Sequence, residues 1–168
     1  MLSKSILPAF NQIVDGTKSV LAAVPEDQLD WRPHDKSWKL GELATHLANL
    51  PSWTMATLSV SEFDISPADG GPPPMAALTT SAEMVEALEE NAAAARGAIE
   101  NCSDADLASP WTMLVAGEAR FTLPKAVVLR TFIMDHMIHH RAQLGVYLRM
   151  LDVPVPQLFG PTADFPDM

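Results

Sequence analysis

The positions of the fourteen prolines constrain this sequence more than any other feature. A proline inside a helix removes a backbone hydrogen-bond donor and clashes with the preceding turn, so long helices must lie where prolines are absent. Four windows satisfy this condition: residues 9–24, 34–50, 75–109 and 125–153. Each window is long enough for a helix, so the sequence predicts four of them.

Apolar residues in the first two windows follow the 3.6-residue period of an amphipathic helix. We expect the second helix to begin after Pro33, with Asp35 or Ser37 as its cap. Pro51 should interrupt it before it resumes towards Val60. The apolar faces are formed by Phe10, Ile13, Val20 and Leu21 in the first window and by Leu40, Leu43 and Leu47 in the second.

The third and fourth helices have clearer start signals. Thr80 and Glu83 have the spacing of a capping box, which predicts a helix from this point to about Asn101. The fourth helix should run from Thr122 to about Leu151, with a proline in its first turn, where proline is tolerated.

The remaining segments predict loops. Residues 61–78 form a long excursion rich in proline and glycine, residues 111–121 form a loop with room for a small hairpin, and residues 152–168 form an extended tail. Since no strong strand pattern is present, we predict a single all-α domain over residues 1–168. An antiparallel four-helix bundle is the simplest arrangement that buries four apolar faces.

Composition narrows the function classes. The 168 residues include 21 acidic and 11 basic side chains, a net charge of −10, which disfavours nucleic acids and anionic membranes as partners. No apolar stretch approaches the roughly 20 residues that span a bilayer. The start of the chain lacks the pattern of a signal peptide, and the single Cys102 cannot form an intrachain disulfide. We therefore expect a cytoplasmic protein.

Three of the five histidines lie close together in the fourth window: His136, His139 and His140. Residues four apart share one helix face, which favours the pair His136 and His140, although spacing alone also allows His136 with His139. At 100° per residue, the favoured pair falls in the middle of the expected apolar stripe. Two buried imidazoles are explained by a shared metal, or by hydrogen bonds to each other and to nearby carbonyls.

His46 lies on a polar stripe beside the apolar face of the second helix, which makes it a candidate third ligand. Three imidazoles suit Zn²⁺, Ni²⁺ or Fe²⁺ and leave coordination positions open for water or substrate. Glu42, one turn earlier, is a candidate fourth ligand, an acceptor that orients an imidazole, or a solvated acid that complements the helix dipole. We favour the last role for Glu42.

Together these residues resemble the DinB/YfiT-like superfamily. The similarity is carried by Trp31–Pro33, Trp38–His46, His136–Leu144, Tyr147–Leu151 and Val153–Asp164. The resemblance implies a four-helix bundle that holds a divalent metal through His46, His136 and His140. It also implies homodimers, and transfer or isomerisation reactions that use a low-molecular-weight thiol cofactor.

The leading hypothesis is therefore a metal-dependent thiol S-transferase or isomerase that acts on a small molecule. Arg141 or Arg149 could hold a carboxylate of the thiol cofactor, the alternative being a solvated surface position. A second hypothesis is a metal-dependent hydrolase in which Glu42 acts as general base. A third is a metal-binding dimeric bundle without catalytic activity.

Overall fold

A computed structural model of the chain describes residues 3–67, 70 and 76–167. It is mostly helical and contains a small three-stranded sheet. The α-helices are α1 (Ser3–Ala22), α2 (Leu40–Asn49), α3 (Trp53–Ser59), α4 (Ser81–Asn101), α5 (Asp104–Ala108), α6 (Lys125–Val128) and α7 (Asp135–Met150). The strands are β1 (Glu62–Asp64), β2 (Pro110–Val115) and β3 (Glu118–Pro124). Short 3₁₀ turns cover Glu26–Gln28 and Leu50–Ser52, and a π-helical segment, Leu129–Met134, joins α6 to α7.

Four helices share the main hydrophobic core. Helix α1 packs on α4 and α7, and α2 packs on the same two helices. This packing brings α2 alongside α7, the two helices that carry the candidate ligands. The core residues that lose all or nearly all of their exposure include Phe10, Val20 and Leu21 on α1, Leu43 and Leu47 on α2, Leu88 and Ala92 on α4, and Leu144 and Leu148 on α7.

Helix α2 begins later than the sequence indicated. The backbone N–H of Lys39 donates to a Glu42 carboxylate oxygen at 2.9 Å, which satisfies one free donor at the start of the helix. Neither Asp35 nor Ser37 caps α2. The first backbone N–H groups of the helix, from Leu40 onwards, donate instead to backbone carbonyls of residues 29–31. The predicted interruption at Pro51 is confirmed by the 3₁₀ turn between α2 and α3.

The capping box at α4 is confirmed. The Thr80 hydroxyl accepts from the backbone N–H of Glu83, and the Glu83 carboxylate accepts from the backbone N–H of Thr80. The helix ends at Asn101, as predicted. The last helical run begins at Lys125 rather than Thr122, because Thr122 pairs with Thr112 in the sheet.

The prediction of an all-α chain is wrong, since residues 110–124 form an antiparallel hairpin and β1 adds to it in parallel. Ala116 and Gly117 form the turn, with φ of 53° and 78° in the left-handed region. The carboxylate of Asp64 accepts from both of their backbone N–H groups, at 3.2 and 2.7 Å. The loop with room for a hairpin is thus a hairpin held by a residue from the preceding excursion.

The chain after α7 follows the predicted extended course without another helix. Arg149 near the end of α7 pairs with Asp164, and Asp164 also accepts from the backbone N–H of Val155 at 2.9 Å. These bonds fix the tail against the helical body. None of the helices within residues 3–67 and 76–167 is both long and apolar enough to cross a membrane.

Candidate metal centre

The packing of α2 against α7 brings His46, His136 and His140 together. One ring nitrogen from each histidine lies within 4.8 Å of the other two, and Nε2 of His136 is 2.8 Å from Nε2 of His140. All three side chains are half-buried. Among the described residues, no other three His, Cys, Asp or Glu side chains bring ligand atoms this close together.

A hydrogen bond orients the His140 imidazole. Nδ1 of His140 lies 2.7 Å from Oε1 of Gln143, and an amide oxygen can only accept, so Nδ1 donates this bond. Burial lowers the pKa of His136, and the backbone carbonyl of Phe132 acts in the opposite direction. The 2.8 Å contact between the two Nε2 atoms requires a proton on one of them or a cation bound to both.

His46 supplies a third ring nitrogen. Its Nε2 is buried and has no hydrogen-bond partner. Burial, together with His140 and His136, lowers the pKa of His46 to about 4, so the ring is neutral at pH 7. An unsatisfied buried acceptor costs about 1–3 kcal/mol. A divalent cation would satisfy this nitrogen and the two on α7 at once, so the donor set fits a metal.

The two α7 histidines lie at the edge of the buried stripe, not in its middle as predicted. The buried face of α7 is formed by Met137, Arg141, Leu144 and Leu148. Met150, on the His136 side of α7, is 54% exposed. At about 100° per residue, the centre of the buried face lies roughly 110° from the His136 direction. The edge position leaves the imidazoles open to a cleft.

The other histidines are not part of the cluster. His139 is exposed and only its ring edge contacts His140, at 4.9 Å between centroids. The choice of His140 over His139 as the partner of His136 agrees with this geometry. His34 is exposed, and its Nδ1 accepts from the backbone N–H of Lys36 at 3.1 Å.

Comparison with known proteins bears on the same residues. A sequence model of the DinB superfamily matches residues 9–144, which include all three histidines. This chain belongs to the DinB superfamily. Its fold is similar to the crystal structure of a DinB-like protein from Bacillus cereus ATCC 10987, with a TM-score of 0.72 and 18% identity over 93% of this chain and 97% of that one. No protein of curated function shows significant sequence similarity to this chain.

Within this DinB fold, Glu42 lies at the start of the helix that carries His46. It is exposed in the first turn of α2 and its carboxylate accepts from the backbone of Lys39. It also lines a cavity of about 400 Å³ together with His46. The structure does not group Glu42 with the three imidazoles as a ligand.

The two arginines considered for cofactor binding lie away from the histidines. Arg141 is only 3% exposed, donates to the backbone carbonyl of Ile13 on α1, and lies over the ring of Phe159. Burial lowers the pKa of Arg141. Arg149 pairs with Asp164 of the tail. Both side chains hold other elements against α7.

Cys102 is half-buried at the C-terminal cap of α4. Burial raises the pKa of its thiol, which lowers the fraction of thiolate and makes it a poorer nucleophile. Its half-buried position at the end of α4 indicates a packing role.

Sequence reasoning missed two residues of the site. Gln143 orients His140, and its spacing of three residues on the same helix was the available signal. Trp38 covers the cluster: its ring stacks on His140 at 5.5 Å and meets His46 edge-on at 5.0 Å. No spacing rule points to Trp38, because it reaches the site from the loop before α2.

Proposed function

We propose that this chain binds a divalent metal through Nε2 of His46, His136 and His140 and is a metal-dependent thiol S-transferase or isomerase acting on a small molecule. One observation carries the proposal: a ring nitrogen from each of the three histidines lies within 4.8 Å of the other two, and the buried Nε2 of His46 has no hydrogen-bond partner. Zn²⁺, Ni²⁺ and Fe²⁺ all accept such a donor set.

A bound divalent cation would lower the pKa of a coordinated thiol or water, which produces a nucleophile at neutral pH. The residues of this chain prepare that chemistry. Gln143 accepts from Nδ1 of His140, which leaves Nε2 of this imidazole free to bind a metal. The cavity beside His46 provides space for a small substrate. A low-molecular-weight thiol is the proposed co-substrate.

The test is a transfer assay with the zinc-, nickel- or iron-loaded protein, a panel of small thiols and a haloarene electrophile. We expect thiol-dependent conversion that is lost in His46→Ala, whereas His34→Ala, which changes an exposed histidine outside the cluster, keeps the wild-type rate. Conversion that is unchanged in His46→Ala would reject the proposal.

Metal-dependent hydrolysis is a second candidate, because Glu42 lines the same cavity as His46 and could act as general base on a water molecule. A thermal-shift panel separates the two reactions. A transferase is stabilised by binding a small thiol, whereas a hydrolase that uses water gains nothing from it.

The scaffold and the setting belong to the same proposal. We propose an antiparallel four-helix bundle that forms a homodimer in the cytoplasm. Four helices sharing one core, the family membership and the net charge of −10 support this setting. Light scattering coupled to size-exclusion chromatography tests the dimer directly.

A further inference from the structure

Two cavities reach the histidine cluster, and both are lined by the same residue, Trp38. One cavity, of about 400 Å³, lies against His46 and is also lined by Glu42, Thr45 and Ala77. The other, of about 350 Å³, lies against His140. It is also lined by Lys36, Ser37, Leu43, Gln143 and Tyr147.

Trp38 is held in place between these cavities. Its ring lies nearly parallel to the His140 ring, at 15°, and nearly perpendicular to the His46 ring, at 87°. The backbone carbonyl of Trp38 accepts from the Tyr147 hydroxyl, and Tyr147 packs edge-on against Trp31. The indole remains 46% exposed. The Trp38 indole therefore forms a wall of both cavities. One side of the ring contacts the histidines, and the rest of the ring is exposed to solvent.

The two cavities differ in chemistry. The surface beside His46 is mainly apolar and carries one carboxylate, Glu42, which repels anions. The surface beside His140 is more polar and includes Lys36. No carboxylate within the described residues forms an ion pair with the Lys36 ammonium. An anionic ligand is thus favoured on one side of Trp38 and an uncharged apolar ligand on the other.

We infer that Trp38 is a specificity-determining residue that separates an apolar ligand site at His46 from an anion-accepting ligand site at His140. The inference rests on the proposed function, since it assigns the two reactants of a transferase to two sides of one indole. The anionic thiol enters beside Lys36 and the apolar acceptor enters beside Ala77.

The first arm of the test uses full-length zinc-loaded protein and two probes measured by calorimetry: mercaptoacetate, and bromobenzene, a haloarene that carries no thiol. Lys36→Ala should weaken binding of mercaptoacetate about threefold, as expected for one exposed ion pair, and leave binding of bromobenzene unchanged. Ala77→Leu, which narrows the other cavity, should weaken binding of bromobenzene only. Trp38→Ala should abolish this selectivity, whereas Trp38→Phe should retain it and the distant Trp53→Phe should have no effect.

The second arm needs no metal. The fluorescence of Trp38, taken as the difference between wild type and Trp38→Phe, is quenched with iodide and with uncharged acrylamide. Lys36→Ala should reduce quenching by iodide and leave quenching by acrylamide unchanged.

Failure to retain zinc rejects the proposed function, while the quenching arm still decides whether Lys36 makes the Trp38 surface attractive to anions. Equal effects of Lys36→Ala on both quenchers overturn the inference. With zinc retained, selectivity that survives in Trp38→Ala overturns it as well.

Discussion

Individual hydrogen bonds determine what the three imidazoles can bind. Nδ1 of His140 donates to Gln143, whereas the buried Nε2 of His46 has no hydrogen-bond partner. The sequence predicted that His136 and His140 lie together, because i,i+4 spacing is a local property of a helix. It could not indicate Trp38, whose place over the cluster depends on the course of the loop before α2.

Gln143→Ala should weaken zinc binding by about 10- to 100-fold, because His140 loses the acceptor that fixes its tautomer and ring orientation. The zinc dissociation constant is measured by competition with a chromogenic chelator. Val146→Ala, an exposed change on the same helix, is the matched control. Equal affinity in Gln143→Ala and wild type would show that this bond does not orient the ligand.

His46→Leu should stabilise the metal-free protein by up to about 1–3 kcal/mol, because the substitution removes an unsatisfied buried acceptor. Urea unfolding in the presence of a chelator measures this effect. The neighbouring Leu47→Ala, at a fully buried position, should instead cost about 2–5 kcal/mol. A metal-free His46→Leu protein that is less stable than the wild type would contradict the idea that Nε2 of His46 is left unsatisfied until a cation binds.

At the level of elements, the sequence predicted best those whose signals are local. The Thr80–Glu83 box located the start of α4 because its hydrogen bonds join residues three apart. The sheet was missed because β1 has only three residues and depends on a distant hairpin. The face of α7 was misplaced because Arg141 is buried through contacts with α1 and the tail, which no periodicity can show.

The hairpin turn gives an element-level prediction. Gly117 has a φ of 78°, which strains any residue with a side chain, so Gly117→Ala should destabilise the fold by about 1–2 kcal/mol. Gly97 is the control: it lies within α4, where an added Cβ meets nothing within 4 Å, so Gly97→Ala should stabilise by about 0.5–1 kcal/mol. Urea unfolding of both variants checks the opposite signs. Equal shifts in the same direction would contradict the turn geometry.

At the scale of the whole molecule, Asp164 attaches the C-terminal tail to α7 through Arg149. The Arg149 guanidinium and the N–H of Val155 lower the pKa of Asp164 to about 2. A lowered carboxyl pKa stabilises the attached tail above the ordinary value of 3.8, and this contribution is lost as the pH falls from there towards 2.

We therefore expect the tail to become sensitive to an acid-tolerant protease between about pH 4 and 2 in the wild type. Asp164→Asn should be cleaved in the tail already at pH 7, whereas Asp167→Asn, which changes an exposed aspartate of the same tail that does not pair with Arg149, should behave as the wild type. Full protection of Asp164→Asn at neutral pH would show that other contacts hold the tail.

The proposed function of the whole protein depends on whether the three histidines act together as one metal site. The most direct measurement is the metal content of protein purified without a histidine tag, determined by mass spectrometry for wild type and for His46→Ala. We predict one divalent ion per chain in the wild type and its loss in the variant. A wild-type protein that retains no ion after incubation with Zn²⁺, Ni²⁺ or Fe²⁺, or a variant that retains it fully, would contradict the account.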